Sequence, residues 1–172
     1  MYEFLLAFLS GVLVKIVDNI EDVWLPKTRN QKLKTLYSRL AWPLAIAYGA
    51  IIGYLISQAS FSMLFLAALL AQVLAYKIDH EAHLAGFILS IVAALYLGLP
   101  QIEYLPFILF LVAAYLDELT LFGIWKTFAD YRLFLVITAL AFVIIGRIDY
   151  LEAILAFDLA YIITEKIFQK GQ

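Results

Sequence analysis

Apolar and polar positions fall in blocks along this chain. Long apolar runs are separated by short stretches that hold the charges, the prolines and the turn residues. The runs show no apolar–polar alternation of the kind a barrel strand requires. Each is about as long as a helix that crosses a bilayer core, or slightly shorter. The pattern predicts seven helices, at residues 2–23, 38–57, 60–79, 82–98, 104–124, 131–147 and 150–168. The expected fold class is an all-α integral membrane protein, one transmembrane domain over residues 1–172.

The bases orient these helices. Lys27, Arg29, Lys32, Lys34 and Arg39 fall between the first and second, and Lys77 ends the third. Lys126 and Arg132 flank the connection after the fifth, and Lys166 and Lys170 lie near the C-terminus. In a seven-helix arrangement all of these share one side, and Arg147 stands on the other. Bases accumulate on the cytoplasmic side, so the N-terminus is expected outside and the C-terminus in the cytoplasm. Trp24, Trp42 and Trp125 read as interfacial anchors.

Composition agrees with a membrane setting. The chain is 65% hydrophobic and 15% charged, against about half and a quarter in soluble domains. Its mean hydropathy is +0.94. The absence of Cys excludes disulfides and thiolate metal sites. The net charge of −2 favours no partner. Glu3 stands where a cleaved signal would carry bases, so no leader is expected. Nucleophilic triads, glycine-rich phosphate loops and nucleic-acid patches are absent from the sequence pattern.

The chain also resembles itself. LAALLAQVLAY at 66–76 and LEAILAFDLAY at 151–161 share seven of eleven residues. Arg39-Leu40 and the IIG at 51–53 recur as Arg132-Leu133 and the IIG at 144–146. Asp18, Lys27 and Thr28 recur as Asp117, Lys126 and Thr127. These echoes predict a parallel 3+1+3 repeat. Its first copy would cover about residues 1–80 and its second about 104–168, with a linker helix at about 82–98.

Acids gather at the helix ends on the cytoplasmic side: Asp18 and Asp22, Asp79 and Glu81, Asp117 and Glu118, and Glu165. A helix C-terminus carries negative partial charge, so acids there are locally unfavourable and need a reason. Asp18 and Asp22 are four residues apart and share a helix face, with Lys15 beside them. Carboxylates converging from helix ends suit Mg²⁺, and the neighbouring bases suit phosphate. Asp158 lies in mid-helix, where an ionisable group is costly and faces a cavity or a partner, with Gln72 a candidate neighbour. His80 and His83, the two histidines, read as exposed at the head-group level.

Taken together, these residues resemble the UbiA superfamily of intramembrane prenyltransferases. The likeness lies in two parallel helical repeats, in acidic motifs closing two equivalent helices, and in the basic PKTRNQKL (26–33) after the first motif. LAYKIDHEAHLAGF (74–87), with its Tyr, Lys and following Gly-containing helix, is a fourth point. The chain departs from the family in Pro26 and Leu121, which replace expected aspartates, and in lacking two helices. The resemblance implies Mg²⁺-dependent binding or transfer of a prenyl diphosphate at the cytoplasmic face. Asp18, Asp22 and Asp117 would be the catalytic metal ligands. Asn19, Arg29, Tyr76, Lys77, Glu118, Lys126, Arg132 and Asp158 would meet substrate. Two other classes fit the same pattern: a small transporter or channel with a polar path through Asp158, and a structural membrane subunit. The expected partners are membrane lipid, a lipid-like substrate and further copies of the chain.

Overall fold

The computed structural model of the chain describes residues 2–169; Lys170 lies outside them. The described residues form helices and connections, with no strand among them. Helix α1 (Tyr2–Asp18) runs on through a π-helical turn (Asn19–Trp24) and a last half-turn (Leu25–Lys27). The other helices are α2 (Gln31–Ser57), α3 (Ser62–Leu74), α4 (Glu81–Leu97), α5 (Tyr104–Glu118), α6 (Ile124–Asp130), α7 (Leu133–Val143) and α8 (Ile148–Gln169).

The seven long segments match the seven apolar runs, and their ends differ for local reasons. Helix α2 begins at Gln31, seven residues earlier than expected, because the Asn30 side chain accepts a hydrogen bond from Lys32 N (3.0 Å) and caps the turn. Helix α3 stops at Leu74, and Tyr76 then takes a positive φ of 55°. Helix α7 ends early, in the turn that brings Gly146 to φ 85°, where a side chain would be strained. The short α6 lies in the connection after the fifth run, where no helix was predicted.

Helices α3 and α7 therefore hold only 13 and 11 residues. At 1.5 Å per residue they rise about 20 and 16 Å, well below the ~30 Å of a bilayer core. Among the described helices, Gln31–Ser57 alone is long and apolar enough to cross a membrane.

Six helices close a ring. Helix α1 packs against α2 and α8, α8 against α7, α7 against α5, α5 against α3, and α3 returns to α2. Helix α4 lies beside α2 in the most extensive helix contact of the molecule. That contact is a seam of small residues four apart. Ala45, Gly49 and Gly53 of α2 face Ala82, Gly86, Ser90 and Ala94 of α4, all buried. Removing side chains at such positions lets two backbones approach closely, which is how helices pack where the surroundings are as apolar as the interface. The outer faces stay apolar: Leu5, Tyr96, Ile144 and Ile145 are 69–87% exposed.

At the ring end opposite Asp18, Arg147 ties three connections together. Its guanidinium donates to Glu103 (3.3 Å), Asp149 (3.2 Å) and the carbonyl of Ser60 (3.5 Å), and it lies over the Tyr150 ring.

Candidate functional site: a cavity with a charged mouth

The ring encloses a cavity of about 400 Å³, within the range of small-molecule sites. Its two ends differ in chemistry. Val14, Ile52, Leu64, Phe65, Ala153 and Ile154 line the floor, and charged groups line the mouth. The direction of each helix explains the separation. Helices α1, α3, α5 and α8 run toward the mouth and bring acids or polar groups at or near their ends. Helices α2, α4 and α7 start there.

Asp18 is the hub of the mouth. Tyr161 of α8 donates to its Oδ2 at 2.7 Å, and His83 Nε2 of α4 lies 2.9 Å from its Oδ1. His83 is held in turn by the Tyr48 hydroxyl of α2, 2.9 Å from Nδ1. Lys15 donates to Tyr161 (3.3 Å), stacks on its ring and reaches Glu165 (3.7 Å). Four helices thus meet through one carboxylate. Gly86 makes this possible: a Cβ there would fall on the Tyr48 ring.

Several predicted residues do come together. Asp18, Asp22, Lys77, Glu118, Arg132 and Asp158 all line the cavity. Arg132 stands 3.7 Å from both Glu118 and Asp158, with its guanidinium over Phe157 and Tyr161. Gln72 lines the cavity too, but the charged partner of Asp158 is Arg132, at the start of α7. The π-helical turn after Asp18 has a role here. It widens and underwinds the helix just past the hub, where Asn19 and Glu21 are buried and Asp22 is 62% exposed at the rim. Such turns are frequent at functional sites.

Other predicted residues stand elsewhere. Asp117 is buried outside the cavity, and its carboxylate caps α7, accepting from Phe134 N (3.1 Å) and Leu135 N (2.9 Å). A helix start leaves backbone N–H groups unpaired, and a carboxylate there satisfies them and opposes the helix dipole. Tyr76, Arg29 and Lys126 are exposed and do not line the cavity. Asn19 is buried beneath the rim with its Nδ2 unpartnered. Asp117→Ala is expected to lower stability by about 1–2 kcal/mol through the lost cap. Ligand affinity of the folded fraction should stay unchanged, which thermal denaturation and a binding titration on the same sample will check.

The sequence pattern does not mark Tyr48 or Tyr161, and it places His83 at an exposed surface. The structure turns His83 inward. Its signal in the sequence is Gly86, one turn along the same helix, which clears space for a large neighbour.

The carboxylates do not fit a hard dication as arranged. Such an ion needs several oxygens converging on one point. Both oxygens of Asp18 are already taken, and Asp117 is committed to α7. Among the described residues no three His, Cys, Asp or Glu side chains are grouped to hold a metal.

Comparison of the chain with protein-family models, with curated proteins and with solved structures gave no match.

Proposed function

We propose that the chain is a membrane-embedded protein that binds a long-chain, isoprenoid-like amphiphile inside its helix ring. The tail would lie on the apolar floor and the head at the charged mouth. The observation that carries this reading is the two-ended cavity, apolar at depth and ionic at one rim. A soluble metabolite has no use for such a floor, and an unheaded hydrocarbon has no use for such a mouth.

The membrane setting is supported by the apolar outer faces and by the small-residue seam between α2 and α4. The bases at the mouth end put that end in the cytoplasm, with the N-terminus outside. The repeat finds support in the ring order. Exchanging α1 with α5, α2 with α7 and α3 with α8 carries every neighbouring pair of the ring onto another neighbouring pair. This is what a parallel 3+1+3 duplication about an axis through the cavity requires. A UbiA-like prenyl-binding fold is built this way, and prenyl transfer is the activity that the resemblance attaches to it. The transport reading lacks a comparable feature. Asp158 pairs with Arg132 near the mouth, and the cavity wall beyond it on α8 is Ile154 and Ala153.

The test is thermal stability of the purified protein with geranylgeraniol and, separately, geranylgeranyl diphosphate. A ligand of the folded state raises Tm by mass action. At least one should do so, and Ala68→Trp, which fills the floor, should abolish the shift. No shift with either compound, or an equal shift in Ala68→Trp, sinks the reading.

A further inference from the structure

Six acids at the mouth occur in three pairs, and one nitrogen-bearing side chain spans each pair. His83 Nε2 lies 2.9 Å from Asp18 and 3.5 Å from Glu21. His80 Nε2 lies 3.1 Å from Asp22 and 3.9 Å from Asp79. The Arg132 guanidinium lies 3.7 Å from Glu118 and 3.7 Å from Asp158. The same arrangement thus occurs three times, twice where α4 starts beside the end of α1 and once where α7 starts beside α5 and α8.

A divalent cation bridging any of these pairs would need the place the nitrogen holds, since its oxygen ligands sit at about 2.0–2.6 Å. Two of the three donors are fixed from behind. Tyr48 holds His83, and the rings of Phe157 and Tyr161 carry Arg132. They are parts of the wall, costly to displace.

We propose that these three side chains stand in for divalent cations and that the cavity takes its ligand without one. The proposal rests on the isoprenoid reading for the ligand's tail and deepens it for the head. Five carboxylates line the cavity, Asp18, Asp22, Asp79, Glu118 and Asp158, against Lys77, Arg132 and two histidines. Acids outnumber bases even when both histidines are charged. A diphosphate stripped of its metal meets like charge there. An uncharged head with a donor hydrogen meets acceptors. The ligand class is therefore an isoprenoid alcohol.

Two measurements on the full chain in lipid nanodiscs decide this. The first is a Mn²⁺ titration followed by electron paramagnetic resonance, on wild type, His80→Ala and His83→Ala. Wild type should bind no more Mn²⁺ than empty nanodiscs. At least one variant, freed of its base, should bind at least about tenfold more tightly than wild type, a difference of about 1.4 kcal/mol. His80 sits at the exposed rim, so its loss should leave the fold intact. The second is the Tm shift with geranylgeraniol, which should be the same in EDTA and in Mg²⁺, and larger than that with the diphosphate. Mn²⁺ bound by wild type and lost in Asp18→Asn overturns the proposal. So does a diphosphate shift that needs Mg²⁺, or a failure of both variants to gain Mn²⁺. If neither isoprenoid shifts Tm, the ligand reading fails, and the Mn²⁺ titration still decides the metal claim.

Discussion

Gly53→Leu is expected to separate α4 from α2 and to cause a large loss of stability. Even the first atom of a side chain has no room. A Cβ at Gly53 would lie 2.6 Å from the Ser90 carbonyl and 2.6 Å from the Ala93 Cβ. Backbone cannot move aside as a side chain can, so the helices must part. Overpacking a close interface costs about 1–3 kcal/mol even where neighbours can adjust. Here the cost should exceed that range, because the clash is with main chain and a Leu adds three further carbons. Ala50→Leu is the control. It enlarges an exposed position on the same helix and should change stability by less than about 0.5 kcal/mol. Denaturant or detergent-driven unfolding of both variants, followed by circular dichroism, reads the difference. Equal stability of the two would show that the seam contributes nothing. The effect should also reach the cavity, because the same seam seats Tyr48 against Gly86 and so holds His83 toward Asp18.

Asp18→Ala is expected to be the most damaging change at the mouth. It leaves the Tyr161 hydroxyl and His83 Nε2 without their acceptor. Hydrogen bonds to a charged group contribute about 1.5–3 kcal/mol each. Asp18 is 23% exposed, so water takes over part of the loss. A net cost of about 2–3 kcal/mol follows. Asp18→Asn keeps an acceptor for one of the two donors and should recover part of it. Chemical denaturation of the two variants beside wild type measures this. A residue whose task was to hold a metal would show the opposite pattern, a modest stability change and a large loss of cation affinity.

Much of the architecture could be read from the chain, because an apolar run of twenty residues has few other uses. The helix ends could not, because they depend on single backbone events: the Asn30 cap, the positive φ of Tyr76 and the left-handed Arg132 that starts α7. Those events also explain the errors at the site. Tyr76 and Tyr161 occupy equivalent places in the two sequence echoes. Helix α8 continues past Tyr161 and holds its hydroxyl on Asp18. Helix α3 has already ended at Leu74, so Tyr76 is turned outward and is 91% exposed. Asp117 and Glu118 are adjacent, and one step along a helix separates a cap from a cavity wall. Asp22, Lys77 and Arg132 line the mouth, each at or just past a helix end on that side. Tyr48 had no distinguishing mark beyond its neighbour Gly49, in a chain with eleven tyrosines.

The ring is not reinforced evenly. Helix α2 has α4 pressed along it from outside. Its counterpart α7 is 11 residues long and packs against α5, α6 and α8. One flank of the cavity is thus two helices deep and the other a single short one, with Ile137 and Leu140 exposed on it. On the proposed reading, a molecule arriving from lipid would meet a thick wall at α2 and a thin one at α7. Exchange between bilayer and cavity would then have a preferred side, set by α4, which backs the α2 flank.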